Sequence, residues 1–243
     1  MKELIITKNN INEYVYKKYV YYDNKTLEIL IPIENLSIYL LDLEKLIIID
    51  KNVQKLNINK CKNLKYLKCF LNLISKYNIN NLINLEYLDI STLFDELDIY
   101  TYKTNIENIK FNNFPKLKYL NISGCKIKYL NLQLLNLEHL ECKNCELDKL
   151  IINRCKNLKK LICSFNNLED LKVNKLINLI KLDCSYNKIY DLIINKLVNL
   201  EKLYCSYNKI NELNIDNLIK LRKLSCLENY LSEINIKNIR VEI

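Results

Sequence analysis

The chain has 243 residues, 49% of them apolar and 27% charged, with a formal net charge of +9. No stretch reaches the ~18 uninterrupted apolar residues of a membrane span, and MKELIITKNNINEYVYKKYV lacks the apolar run of a secretory signal. There is no alanine or tryptophan, one glycine and two prolines, while Asn, Ile, Lys and Tyr abound; this reads as drift in an AT-rich genome and discounts the positive charge as a sign of a nucleic-acid partner.

Residues 1–42 show no clean repeat. Glu13–Tyr22 is rich in Tyr and Val with partial alternation, Asp23–Thr26 is turn-like, and Leu27–Ile31 is apolar. A strand-rich cap that closes one end of a repeat array is expected here.

From Leu43 onward the chain repeats every 21 positions, with starts at Leu43, Leu64, Leu85, Leu117, Leu137, Leu158, Leu179, Leu200 and Leu221. LIKLDCSYNKIYDLIINKLVN (179–199) and LEKLYCSYNKINELNIDNLIK (200–220) show the pattern: apolar places 1, 4, 6, 11, 14, 16 and 19, with Asn at 9. A period of this length means a solenoid, whose coils bury their apolar edge only by stacking. About nine to ten coils are expected over 43–243. The interval from Leu85 to Leu117 is 32 residues instead of 21. Ile106, Ile109, Phe111 and Phe114 match the second half of a coil, which places an irregular insertion near 92–105.

In each coil LxxLxC has the period of a strand with one buried face. Stacked coils then form a parallel sheet. The second half, IxxLxIxxL, has the same spacing and is expected as a second short strand or an irregular turn, since no room remains for a long helix. Asn at place 9 (Asn72, Asn166, Asn187, Asn208 and Asn229) offers a donor and an acceptor to buried backbone at a turn. Cys125 and Cys145 take that place in two coils.

The run LxxLxCSxNxIxxLxI resembles the leucine-rich-repeat family, and within it the 21-residue class in which one half-repeat echoes the other and Cys replaces Leu in the strand. The resemblance covers about 200 of 243 residues. It implies a β-rich solenoid with a curved parallel sheet on its concave face, little helix, and a role in binding proteins on that face. With the AT-rich composition, the chain is similar to repeat proteins coded by large DNA viruses of amoebae or by AT-rich protists and bacteria. It departs from the family in the 85–117 gap and in lacking cysteine-rich flanking caps.

All ten cysteines fall on repeat places. Cys69, Cys142, Cys163, Cys184, Cys205 and Cys226 are at place 6, and Cys61 and Cys155 at place 19. They are expected as buried apolar packing, not as disulfides or a metal site; the spacing Cys142-x-x-Cys145 is produced by the repeat itself. A thiol column suits a cytoplasmic or other intracellular reducing compartment. His139, the one histidine, falls at place 3 and is expected on the surface.

The outward columns carry the functional reading. Place 3 runs Tyr66, Tyr87, Tyr119, His139, Lys160, Lys181, Lys202 and Lys223. Place 5 carries Glu141, Asp183 and Tyr204, and place 8 carries Phe165, Tyr186 and Tyr207. Exposed aromatics beside charges have the composition of an interface. The expectation is a non-catalytic scaffold, monomeric, without cofactor, metal or membrane contact, binding a protein partner on the concave face. Two alternatives stand beside it. One is an adaptor that recruits a ubiquitin ligase through an F-box-like start, IPIENLSIYLLDLEKLI (31–47). The other is a single-stranded nucleic-acid binder, through Lys with interleaved Tyr, against which Glu138, Glu141, Asp183 and Glu201 interrupt the basic field.

Overall fold

A computed structural model describes residues 3–49, 53–70, 76–77, 79–92 and 104–231. The chain divides into two compact units, Met1–Cys125 and Lys126–Ile243, and each is a stretch of β-solenoid.

The first unit contains β1 (Glu3–Thr7), the short helix α1 (Ile11–Tyr16), β2 (Val20–Tyr22), β3 (Thr26–Ile29), β4 (Asn35–Tyr39), β5 (Lys45–Ile48), β6 (Lys55–Asn57), β7 (Tyr66–Cys69), β8 (Lys76–Tyr77), β9 (Tyr87–Asp89), a 3-10 turn at Phe111–Asn113, and β10 (Tyr119–Asn121). Strands β3, β5, β7, β9 and β10 form one parallel ladder with Leu27, Leu46, Leu67, Leu88 and Leu120 in register. These leucines are buried, and each contributes about 1.5–3 kcal/mol relative to exposure. The ladder thus includes Leu27, ahead of the first clean repeat. β2 closes its edge antiparallel to β3. A turn joins the two, where Asp23 Oδ1 accepts hydrogen bonds from the Thr26 and Lys25 N–H groups at 2.6 and 3.2 Å. β1, β4, β6 and β8 make a second parallel ladder from the other half of each coil. Residues 31–47 therefore contribute β4 and the start of β5 and contain no helix, which removes the structural basis of the F-box comparison.

Leu88 pairs directly with Leu120 across the long interval, so the extra residues leave the ladder unbroken. Most of the insertion expected at 92–105 lies outside the described residues, as does Asn72. Behind it Ile106, Ile109, Phe111 and Phe114 are buried as the second half of a coil. Gly124 sits opposite the start of this segment with φ +76°, and a Cβ there would lie 1.9 Å from Thr92 Oγ1. Gly124→Ala is expected to cost more than the about 1–2 kcal/mol of a left-handed alanine alone. In a Thr92→Ala background part of that loss should return, measured as urea midpoints. An equal loss in both backgrounds would show that the hydroxyl does not set the constraint.

The second unit contains β11 (Tyr129–Asn131), β12 (His139–Glu141), β13 (Lys149–Ile151), β14 (Lys160–Ile162), β15 (Lys181–Asp183), β16 (Lys202–Tyr204) and β17 (Lys223–Ser225). Its main ladder aligns Leu140, Leu161, Leu182, Leu203 and Leu224. The backbone bonding continues beyond the strands: the N–H groups of Cys142, Cys163, Cys184 and Cys205 donate to place-5 carbonyls of the next coil at 2.7–2.8 Å. The second ladder is narrower. β11 pairs with β13, and farther along, among the described residues, only an Asp170–Asp191 bridge remains. Grooves of about 490 and 370 Å³ open on that side, lined by Asp148–Asn153 with Glu169, Asp170 and Lys172, and by Asp170–Asn174 with Asp191 and Ile193.

The asparagines bind the coils together. Asn187 Oδ1 accepts the Leu168 N–H at 3.0 Å, one coil back. Its Nδ2 donates to the carbonyls of Cys163, Cys184 and Ser185 at 3.0, 3.0 and 3.3 Å. Asn166, Asn208 and Asn229 repeat the arrangement. Each amide lies between two Cys carbonyls and each shared carbonyl between two amides, a chain of bonds running across the coils. At the same place Cys125 Sγ reaches the Ile90 carbonyl at 3.2 Å, the donor half of what Asn supplies.

Candidate functional site

Along each main-ladder strand place 4 is buried and places 3 and 5 face outward, so the pleat puts the expected site residues on one face of their unit. In the first unit Tyr66, Tyr87 and Tyr119 are half-buried and stack face to face, with ring centroids 4.1 and 4.2 Å apart. The in-register spacing of parallel strands, about 4.8 Å, imposes this stacking. Lys45 caps the stack with its ammonium 5.0 Å from the Tyr66 centroid, a cation–π contact the sequence reading missed. Burial, then the hydrogen bond with Tyr66, pushes the Tyr87 hydroxyl far above the usual phenol range. Asp89 is buried beside this stack. Its Oδ1 accepts from Ser91 Oγ at 2.7 Å and Oδ2 lies 3.9 Å from Lys68 Nζ.

In the second unit His139, Lys160 and Lys181 are half-buried and Lys202 and Lys223 exposed, all four lysines in register. The column is not uniformly basic. Lys160 Nζ bonds Glu141 Oε1 at 2.7 Å, and Lys181 Nζ lies 5.4 Å from the Tyr204 ring centroid. Asp183 Oδ1 accepts the Ser185 N–H at 3.2 Å. Among the described residues neither Lys181 nor Lys202 forms an ion pair.

Phe165, Tyr186 and Tyr207 form the border, 43–47% exposed, and stack with centroids 4.2 and 4.3 Å apart. Lys143 lies 5.0 Å over the Phe165 ring. All three aromatics have left-handed backbone, φ +55° to +58°, as do Gly124, Asn144 and Glu228 at the same place. Place 8 is where the chain bends out of the strand, and its N–H still donates to the next coil: Phe165 to Ser185, Tyr186 to Ser206, Tyr207 to Leu227. A bulky residue in this region is uncommon and costs roughly 1–2 kcal/mol; each ring stack returns about 0.5–1.5. The signal for this bend lay in other coils, where Gly124, the single glycine, and Asn144 stand at the same place.

All ten cysteines carry free thiols. Nine are buried and Cys226, at the last described coil, is half-exposed. Burial holds the Cys142, Cys163 and Cys184 thiols well above their usual range and pushes Cys61 up to about 11. Among the described residues no three His, Cys, Asp or Glu side chains group as metal ligands, and no helix is long and apolar enough to cross a membrane. Cys145 Sγ donates to the Lys143 carbonyl at 3.5 Å.

The ladder with its cysteine column has close structural likenesses. The functional domain of InlJ from Listeria monocytogenes, which includes a cysteine ladder, superposes with a TM-score of 0.73 at 29% identity, over 81% of this chain and 42% of that one. This chain has the leucine-rich-repeat fold. It is also similar to the internalin inlF of L. monocytogenes (TM-score 0.63, 17% identity, 87% of this chain, 66% of that one). A third likeness is to the plant peptide hormone receptor RGFR1 in complex with RGF2 (TM-score 0.56, 17% identity, 81% of this chain, 40% of that one). It thus spans less than two thirds of each of these three. No protein-family model matches its sequence, and no curated protein does.

Proposed function

We propose that this leucine-rich-repeat protein is a non-catalytic scaffold that binds a protein partner on the outward face of its main ladder. The observation that carries the reading is the in-register column Lys160, Lys181, Lys202 and Lys223 beside the Phe165–Tyr186–Tyr207 stack. Like charges on adjacent strands oppose folding, and left-handed aromatics add strain that clusters at functional sites. Exposed Tyr supplies contact area and a polar handle at low entropic cost. RGFR1, a plant peptide hormone receptor with this fold, is seen in complex with RGF2, which supports the reading.

The test is affinity capture from a reducing extract, wild type against a variant with Lys181, Lys202 and Lys223 each changed to Glu. Lys160 is left in place because it neutralises Glu141. The variant should fold, since its side chains face solvent, and a partner held by the wild type should be missing. The same proteins held by both, or none by either, would overturn the reading.

A further inference from the structure

We propose that the partner segment recognised by the second unit is an extended, carboxylate-rich peptide lying across the coils over Lys181, Lys202 and Lys223, with Phe165, Tyr186 and Tyr207 along one side. The inference rests on the scaffold reading and adds the chemistry of what is bound.

Three observations fix that chemistry. The lysines are stacked at the strand spacing, about 4.8 Å per step. From Lys181 to Lys223 is therefore about 10 Å, the length of roughly three extended residues. Lys181 and Lys202 have no ion pair within the described chain, so an incoming carboxylate does not compete with an internal one.

The second observation is how the rings are presented. Stacked at 4.2 and 4.3 Å, they cover one another's faces and turn their edges toward solvent. An aromatic edge carries the positive end of the ring quadrupole, and of the Tyr186 and Tyr207 hydroxyls, which hydrogen-bond to each other, one O–H is left to donate outward. Both columns thus present positive potential to the same ligand. This arrangement is unsuited to nucleobases, which bind by stacking on an open aromatic face. The inner ring, Tyr186, has both faces occupied.

The third is the placement of acidic groups. Glu141 is held by Lys160 and Asp183 by the Ser185 N–H. Both remain within the lysine field, where they repel a continuous phosphate backbone more than a peptide whose acidic side chains can step past them.

The probe is fluorescein-labelled octaglutamate, followed by fluorescence anisotropy at low ionic strength. Two variants lose the same charge. One has Lys181, Lys202 and Lys223 changed to Gln, and the other has Lys156, Lys175 and Lys196, exposed lysines at places outside the ladder face, changed to Gln. Circular dichroism confirms that both fold. The face variant is expected to bind roughly tenfold more weakly and the control within about threefold of wild type, since each rim charge adds only a modest increment. Tyr186→Ala with Tyr207→Ala should weaken binding further. Equal losses in both Lys variants would mean that net charge alone attracts the peptide and would overturn the proposal. So would tighter binding of poly(U) than of octaglutamate, which would make the ligand a single-stranded nucleic acid. If octaglutamate fails while the captured partner is still lost from the Glu variant, the scaffold reading stands and the acidic-peptide inference falls.

Discussion

Asn187→Ala should cost about 3 kcal/mol, the largest effect expected from a single side chain outside the leucine core. The estimate adds one orphaned buried N–H, at about 1–3 kcal/mol, to the net loss of further hydrogen bonds at roughly 0.5–1.5 each. The orphan is Leu168 N–H, which the Asn187 side chain alone satisfies in the described structure. The carbonyls fare better, because Cys163 O keeps Asn166 and Cys184 O keeps Asn208. Asn187→Cys should be milder than Asn187→Ala. Cys125 already occupies this place and donates to the Ile90 carbonyl, so a thiol restores one of the amide's bonds. Urea unfolding followed by circular dichroism measures both. Because coils interact chiefly with their neighbours, the transition can broaden as well as shift. A loss under about 1 kcal/mol for the Ala variant would mean that water takes over the amide's bonds and that the asparagine chain does not hold the coils in register.

Iodoacetamide at pH 8 should alkylate native Cys226 while Cys69, Cys142, Cys163, Cys184 and Cys205 remain unmodified until urea unfolds the chain. Two causes act together. The place-6 thiols of the interior coils are buried, and burial keeps Cys142, Cys163 and Cys184 protonated, whereas the thiolate is the nucleophile. Cys226 is half-exposed, with burial raising its thiol less completely. The same raised values fix the sign of the alkaline response. A thiol held neutral in the fold contributes stability below its unfolded pKa, about 8.5. That contribution is lost as pH rises above it, because the unfolded chain ionises first. Cys61, raised to about 11, loses its share between those limits. The chain should therefore be most stable below about pH 8, read as urea midpoints against pH. Alkylation of an interior thiol as fast as Cys226 would show that the column opens in the native state.

Much of this arrangement was legible from spacing. The Leu column, the Cys column and the Asn place all follow from one 21-residue period, and Leu161, Leu182 and Leu203 pair in the register it dictates. The outward positions were legible for the same reason: a strand's period of two assigns Lys181 and Asp183 to the face opposite Leu182. Three features were not. Leu27 joins the ladder from a segment whose spacing to Leu46 is 19, outside the strict period. Among the described residues the second ladder narrows after β13 to an Asp170–Asp191 bridge, a cross-coil property that no single coil displays. Lys45 and Lys143 meet their rings only through stacking of coils about twenty residues apart.

By itself, then, the sequence determined the repeat, the parallel solenoid, and which side chains are buried and which face out, because periodicity is a local property and burial follows it directly. Only the tertiary structure decided what the outward residues become. The rings stack edge-out because adjacent strands sit one ladder step apart, Lys160 is neutralised by a carboxylate from the preceding coil, and Phe165, Tyr186 and Tyr207 accept left-handed backbone because neighbouring coils bond their N–H groups and cover their faces. Those are interactions between coils, and their energies depend on distances that a one-dimensional repeat does not contain.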